Sequence, residues 1–251
     1  AVGPETSGFP VGSDVVGHLR SGAQASHLTI SVDRLVRKPK NVTFETAGGL
    51  YLAGTTALDI LDELKVGAGD TVVISAAAGG VGSVEAQIAM HRGARVIGTC
   101  GARNFDYLRQ LGVKPVQYGD GIVDRIRALA PNGVSAYIDN FGQDGQDIAE
   151  ALGVPAGKFR SSADRRDREV ALLSDEPDAV AHGTDQLRKV VDLAEKRAVN
   201  VLVSGFYPLA DVAEAYDDLL KLHSRGKVVL ATHPVNPRRI RKAREVMESG
   251  R

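Results

Sequence analysis

The stretch that decides the fold is "ISAAAGGVGSVEAQIA", Ile74 to Ala89. An apolar run beginning at Thr71, "TVVISAA", enters a glycine cluster and leaves as a helical pattern, "VGSVEAQIAMHRG", closed by Gly93. The expected reading is strand, tight turn, helix. Side chains are nearly absent from the turn. Glycine adopts backbone angles other residues avoid and lets other groups approach the main chain closely. A helix start offers free N–H groups and the positive end of the helix dipole, which together favour a phosphate. Such a turn suits a large anionic ligand lying against backbone. The bland alternative is a turn that only packs helix on sheet.

The same unit repeats outward from this point. "ARVIGTC" reads as a strand and "ARNFDYLRQLG" as a helix ended by Gly112. "KPVQYG" is a short strand, and "GIVDRIRALAPNG" a helix stopped by Pro131 and Gly133. "VSAYIDNFG" is a further strand, and "GQDIAEALGV" with "GKFRSSA" adds a helix and a strand. Repeated short strand–helix units argue for an α/β fold, a doubly wound parallel sheet with helices on both faces. Upstream, residues 1–45 read as β and loop, with Pro39 as a stop, and "TFETAGGLYLAGTTALDILDEL" reads as a helix with Thr43 as its N-cap. Downstream, residues 160–182 are charged and irregular and read as a strand exit followed by a mobile connection. Then come a helix, "GTDQLRKVVDLAEKRAV", a strand, "NVLVSGFYP", a helix, "LADVAEAYDDLLKLHSRG", and a last strand, "KVVLATHP". The basic tail "NPRRIRKAREVMESGR" has surface-helix spacing.

Composition narrows the function. In 251 residues, 31 Lys and Arg balance 31 Asp and Glu, which argues against a global nucleic-acid or membrane-surface binder. Cys100 is the single cysteine, so there is no internal disulfide and no cysteine-rich zinc site. That suits a reducing, cytoplasmic setting. No apolar run approaches the roughly 20 residues of a membrane span.

The end of the second strand discriminates between dinucleotides. The turn is "AAAGGVG" rather than G-x-G-x-x-G, with Ala77 in the first glycine position. An acid about 20 residues further on holds the ribose of NAD. Here "GTCGARN", residues 98–104, has no acid and offers Arg103, with Gly101 and Ala102 leaving room for a 2′-phosphate. NADP(H) is therefore expected over NAD. The alternative is that Arg103 is a solvated first-turn arginine.

Other chemistries find less support. The six histidines show no metal-ligand spacing, though His18 and His27 are candidates to face a cleft. Ser26, His27 and Asp33 suggest a hydrolase triad, but no G-x-S-x-G elbow accompanies them. No Lys-Ser/Thr follows the glycines, so a P-loop is excluded. Arg165 and Arg166 in "ADRRDRE" could grip an anion, with a solvated charge run as the plainer reading.

Taken in order, "AAAGGVGS", "GARVIGTCGARNFDYLRQLGV", "YIDNFG", "FYPLADVAEAYDDLL" and "GKVVL" resemble the medium-chain dehydrogenase/reductase superfamily, within it the zeta-crystallin-like quinone oxidoreductases. "LYLAGTTALDIL" is similar to that family's linker helix. The resemblance implies that Gly79, Gly80, Val81 and Gly82 hold the pyrophosphate. Thr99, Gly101, Arg103 and Tyr118 would surround the adenosine 2′-phosphate, Asn140, Phe141 and Gly142 would line the ribose and nicotinamide, and Thr56 would approach the carboxamide. Tyr118 as a packed strand-end aromatic, and Thr56 as a helix-interior threonine bonding back to its own backbone, remain as alternatives. The resemblance assigns no catalytic residue and no metal.

It also implies a domain plan: a partial GroES-like β domain at 1–45, an NADP-binding Rossmann domain with linker helix at 46–234, and the tail at 235–251. "GFPVGSDVVGHL" resembles the middle of the GroES-like domain, so the chain is expected to be either a fragment or a naturally short protein. The implied activity is zinc-independent reduction of quinones or α,β-unsaturated carbonyls by NADPH. The alternative is a redox-silent descendant, either a non-redox enzyme or an NADP-binding scaffold. The implied assembly is a homodimer joined through "NVLVSGF" and "KVVLATH" as Rossmann edge strands.

Overall fold

The computed structural model describes residues 1–221, 225–232, 240 and 242. At the N-terminal end, β1 (Val15–Gly17) and β2 (Leu35–Arg37) pair antiparallel, Val16 opposite Val36. Those two valines are buried and join the main core, while their neighbours point outward, the alternation of a half-buried strand. Helix α1 (Phe44–Gly48) starts at Thr43, whose hydroxyl oxygen accepts from the Thr46 N–H at 3.2 Å. The single helix expected here is broken at Gly49, where a Cβ would lie 2.9 Å from Val201 Cγ1, and resumes as α2 (Tyr51–Glu63).

The alternating region follows: β3 (Thr71–Ile74), α3 (Gly82–His91), β4 (Arg95–Cys100), α4 (Phe105–Gln110), β5 (Lys114–Gln117), α5 (Ile122–Leu129), β6 (Ala136–Ile138), α6 (Gly145–Ala151) and β7 (Phe159–Arg160). The strands form one parallel sheet in the order β5-β4-β3-β6-β7. The chain winds outward from β3 on one side and then returns to wind outward on the other. Strand order reverses at β3, and in such sheets the crevice beyond the strand ends at this reversal is where ligands lie.

Period-two alternation explains why both faces are covered. Val72, Ile74, Val96, Ala136 and Ile138 belong to one core with α2, α3 and α8 (Pro177–Glu195). Val73, Ile97, Val116 and Tyr137 belong to a second core with Ile122, Ile126 and Ile148. Each fully buried Val or Ile contributes roughly 1.5–3 kcal/mol relative to exposure. A strand buried on both sides reads as continuously apolar, as "TVVI" does.

Two expectations fail here. Residues 160–182 are not a mobile connection, because they carry α7 (Ser162–Leu172) and the start of α8. Ser161 and Asp164 form a reciprocal capping box at the head of α7, and α7 packs on α2. Nor are the last two strands edges of the nucleotide sheet. β8 (Val203–Pro208) and β9 (Lys227–Ala231), with α9 (Val212–Lys221) between them, form their own parallel pair. Their link to the turn is an isolated bridge between Gly79 and Gly226. The helix expected in the tail lies outside the described residues, of which only Ile240 and Lys242 belong to it. No described helix is long and apolar enough to cross a membrane.

Candidate functional site

The turn after β3 is held by its neighbours on both sides. The Ala77 N–H donates to the Thr99 carbonyl at 3.1 Å, and Gly79 N–H to the Ala76 carbonyl at 2.9 Å. Ala76 takes a left-handed φ of 47°, unusual for a residue with a side chain. Close approach explains the glycines. A Cβ on Gly82 would lie 2.7 Å from the Ala76 oxygen, and one on Gly98 2.6 Å from Ala77 Cβ. Ala77 thus occupies the first glycine position by fitting against a glycine in β4.

Ser75 and Asp139 tie the turn to the end of β6. The Ser75 hydroxyl donates to Asp139 Oδ1 at 2.7 Å and accepts from the Asn140 N–H at 2.8 Å. Asp139 Oδ1 also accepts from the Phe141 and Gly142 N–H groups, each at 3.0 Å. Gly142 has φ of 88°, and a Cβ there would collide with Ser162 at the head of α7. The backbone from Asn140 to Gly142 is therefore fixed beside the glycine turn.

Around the end of β4 the residues expected to surround the 2′-phosphate come together in part. Gly101 lies under Tyr118, whose hydroxyl is 3.6 Å from where a Gly101 Cβ would be. Tyr118 and Phe141 are 60% and 53% exposed, and their rings stand near-parallel at 17° with centroids 6.5 Å apart. Tyr118 is thus not packed on the sheet. Thr99 is buried in β4, and its carbonyl accepts from the Ala77 N–H of the turn. Arg103 sits in the short 3₁₀ turn Ala102–Asn104. Arg225 reaches this turn from just before β9, donating to Asn104 Oδ1 at 2.9 Å and to the Arg103 carbonyl at 3.0 Å.

On α2, α3, α7 and the end of β6 lie buried polar atoms without partners. Among the described residues these are Thr56 Oγ1 on α2, Glu85 Oε1 on α3, Asn140 Oδ1 after β6 and Arg165 Nε on α7. α2 packs against both α3 and α7. Of the adjacent threonines, Thr55 is the one that bonds back, to the Tyr51 carbonyl at 2.7 Å. Asn140 turns its amide inward, donating to Glu85 Oε2 at 2.6 Å and the Ser75 carbonyl at 3.3 Å. Burial pushes the Glu85 carboxyl up to about 7, opposed by the Asn140 bond and the Arg165 charge. Lys227 comes in from β9 with its stem 2.7 Å from where a Gly80 Cβ would be, and burial lowers its ammonium from the usual range.

Ser75, Asp139, Glu85, Lys227 and Arg225 were not singled out from sequence. The signals available were the polar "S" and "D" closing two apolar strands, the acid inside an apolar helix pattern, and "RGK" before the last strand. Arg165 is not solvated as the plainer reading held, since its Nε is buried and its NH1 pairs with Glu169 on the same helix. His18 does not face the cleft: it stacks on Tyr51 at 4.1 Å and bonds Thr184 at 2.8 Å. His27 is exposed and bonds only Ser26, at 3.3 Å.

Residues 111–230 match the family model of zinc-binding dehydrogenases. A probable mitochondrial zinc-binding oxidoreductase of Arthroderma benhamiae is 31% identical over 90% of this chain and 75% of its own length. Among solved structures, an alcohol dehydrogenase superfamily protein of Novosphingobium aromaticivorans is 28% identical with a TM-score of 0.78, covering 92% of this chain and 78% of that one. A mycobacterial protein in complex with NADPH is 28% identical with a TM-score of 0.62, covering 79% and 68%. A mycobacterial quinone oxidoreductase is similar to the same degree, with a TM-score of 0.63. The chain belongs to the medium-chain dehydrogenase/reductase superfamily.

That membership implies two groups, a dinucleotide and zinc. A dinucleotide fits the donor set: Thr56 Oγ1 and Asn140 Oδ1 are buried with no protein partner, and the Asn140–Gly142 backbone is held by Ser75 and Asp139 at the end of β6. Zinc does not fit. Among the described residues no three His, Cys, Asp or Glu side chains form a ligand group. Cys100 is buried, and burial raises its thiol to about 11, against the thiolate a zinc ion binds.

Proposed function

We propose that this oxidoreductase-family chain binds NADP(H) across the glycine turn and reduces quinones or α,β-unsaturated carbonyls. The observation that carries the reading is the pairing of a side-chain-free turn with an acid-free strand end bearing Arg103. The turn receives the pyrophosphate on backbone N–H groups. Arg103 and Tyr118 take the 2′-phosphate, while Asn140 to Gly142 present fixed backbone to the ribose. Thr56 Oγ1, which no protein group satisfies, is available to a carboxamide. When bound, the cofactor supplies a hydride, and no metal is required. The chain's own residues orient the dinucleotide and exclude water from it.

The test is NADPH oxidation by the purified chain with a panel of quinones, enones and enoyl thioesters. Acceptor-dependent oxidation supports the reading, and binding with no oxidation across the panel overturns the reductase half of it. A second reading, cofactor binding without redox turnover, is favoured by one feature. Arg165 and Glu169 pair with each other and act on Lys227, whose stem lies over Gly80, so largely buried charge is packed against the glycine turn. NADPH bound but never consumed is its signature.

A further inference from the structure

The most unusual group in the molecule is Glu85. It lies in the first turn of α3, yet it is 0% exposed. An apolar side chain at this position would pack without the cost of dehydrating a carboxyl. The carboxyl has one oxygen on Asn140 at 2.6 Å and the other on nothing. Asn140 spends both amide N–H directions inward, on Glu85 and the Ser75 carbonyl, and its own Oδ1 is also without a partner. A buried pair of this kind, half satisfied, is costly for stability alone.

We propose that Glu85 is a positioning residue: through Asn140 it sets the Asn140–Gly142 backbone against the dinucleotide, and it ties cofactor affinity to pH. The proposal rests on the NADP(H) reading above. The groups around Glu85 define its charge. From α7 come Arg165 and Glu169, which act on it in opposite senses. From β9 comes Lys227, which itself feels Arg165 and Glu169. α2 contributes the neutral Thr56, while Asp59 of that helix is engaged by His182 and Gln186. Asp139 is held by Ser75 and two backbone N–H groups. Cys100 of β4 and Tyr107 of α4 are both raised by burial and stay neutral near pH 7.

The sign follows. Glu85 is pushed up to about 7, so it is neutral below that pH and anionic above it. An anion beside the turn opposes the phosphates of the cofactor. Affinity should therefore fall as pH rises through about 7.

The experiment is titration of the chain with NADPH by fluorescence from about pH 6 to about pH 8.5, for wild type and Glu85→Gln. Glutamine keeps an acceptor for Asn140 and never ionises. The 2′-phosphate's own titration is common to both proteins, so the difference between profiles isolates Glu85. Wild-type affinity should fall roughly tenfold relative to the variant across this range. Superimposable profiles would overturn the proposal while leaving the cofactor reading intact. No binding at any pH in the wild type would sink the cofactor reading and this proposal with it. If Glu85→Gln does not fold, carbon-13 NMR of the Glu85 carboxyl in labelled wild type decides. Its midpoint should lie near neutrality and rise when NADPH is added, and a midpoint that NADPH leaves unmoved refutes the coupling.

Discussion

Gly82→Ala is the substitution that most sharply separates a binding turn from a merely tight one. The added Cβ would lie 2.7 Å from the Ala76 oxygen and 3.0 Å from Ala77 Cα. Both are backbone atoms, so no side-chain rotation relieves the contact. Relief needs the turn to open by roughly 0.7 Å to reach ordinary contact. Ala76 already sits at φ of 47°, a conformation costing about 1–2 kcal/mol, and has little freedom to yield. Overpacking of this kind costs about 1–3 kcal/mol, offset by about 1 kcal/mol because alanine favours the helix more than glycine. The net loss of stability should be about 1 kcal/mol. The effect on NADPH should be larger, because hydrogen bonds to charged groups are worth about 1.5–3 kcal/mol each and the turn's N–H groups move together. That predicts about a 10- to 100-fold weaker complex. Urea unfolding followed by circular dichroism reads the first quantity and fluorescence titration the second. NADPH affinity within about twofold of wild type, in a variant shown to be folded, would refute the idea that the phosphates lie on this turn.

Other consequences are accessible to simple assays. Because the Glu85 carboxyl is raised from 4.5 to about 7 in the fold, its neutral form stabilises the native state, and that contribution is lost as pH rises from 4.5 towards 7. The loss is on the order of 3 kcal/mol, so urea unfolding at about pH 5 and about pH 8 should show a steeper pH dependence in wild type than in Glu85→Gln, and equal slopes would contradict it. Arg103→Glu should weaken NADPH roughly tenfold or more while leaving NADH unaffected or improved, as read by paired titrations. Ser161→Ala removes the cap of α7 and should cost about 1 kcal/mol in a denaturant melt, with no change meaning that the box contributes nothing.

The strand–turn–helix at residues 71–91 was legible because one short segment carries the whole pattern: an apolar run, a side-chain-free turn and helical spacing. The same local logic located β4 to β7. Sheet membership was less legible, because it depends on partners far away in sequence. "NVLVSGFYP" and "KVVLATHP" look like any buried strands, yet they pair with each other, and among the described residues their bridge to the turn is at Gly79. α7 was missed because its arginines and acids outweigh its apolar residues. The sign of it was Ser161 followed three residues later by Asp164. In the site, the glycines follow from the close backbone packing the turn demands, while the role of Arg103 belongs to the proposed cofactor reading. Glu85 did not, since an acid near a helix N-terminus is normally read as a solvated partner of the dipole. Only the packing of α2 on α3 shows that its face is covered.

On the proposed reading, the Gly79–Gly82 turn and Arg103 together select a phosphorylated dinucleotide. Isothermal titration of the purified chain with NADPH and NADH, side by side at one pH and ionic strength, tests it most directly. One site per chain and at least about tenfold tighter binding of NADPH are expected. Equal affinity for the two cofactors would contradict the role given to Arg103, and absence of binding to either would mean that the turn serves only to pack α3 on the sheet.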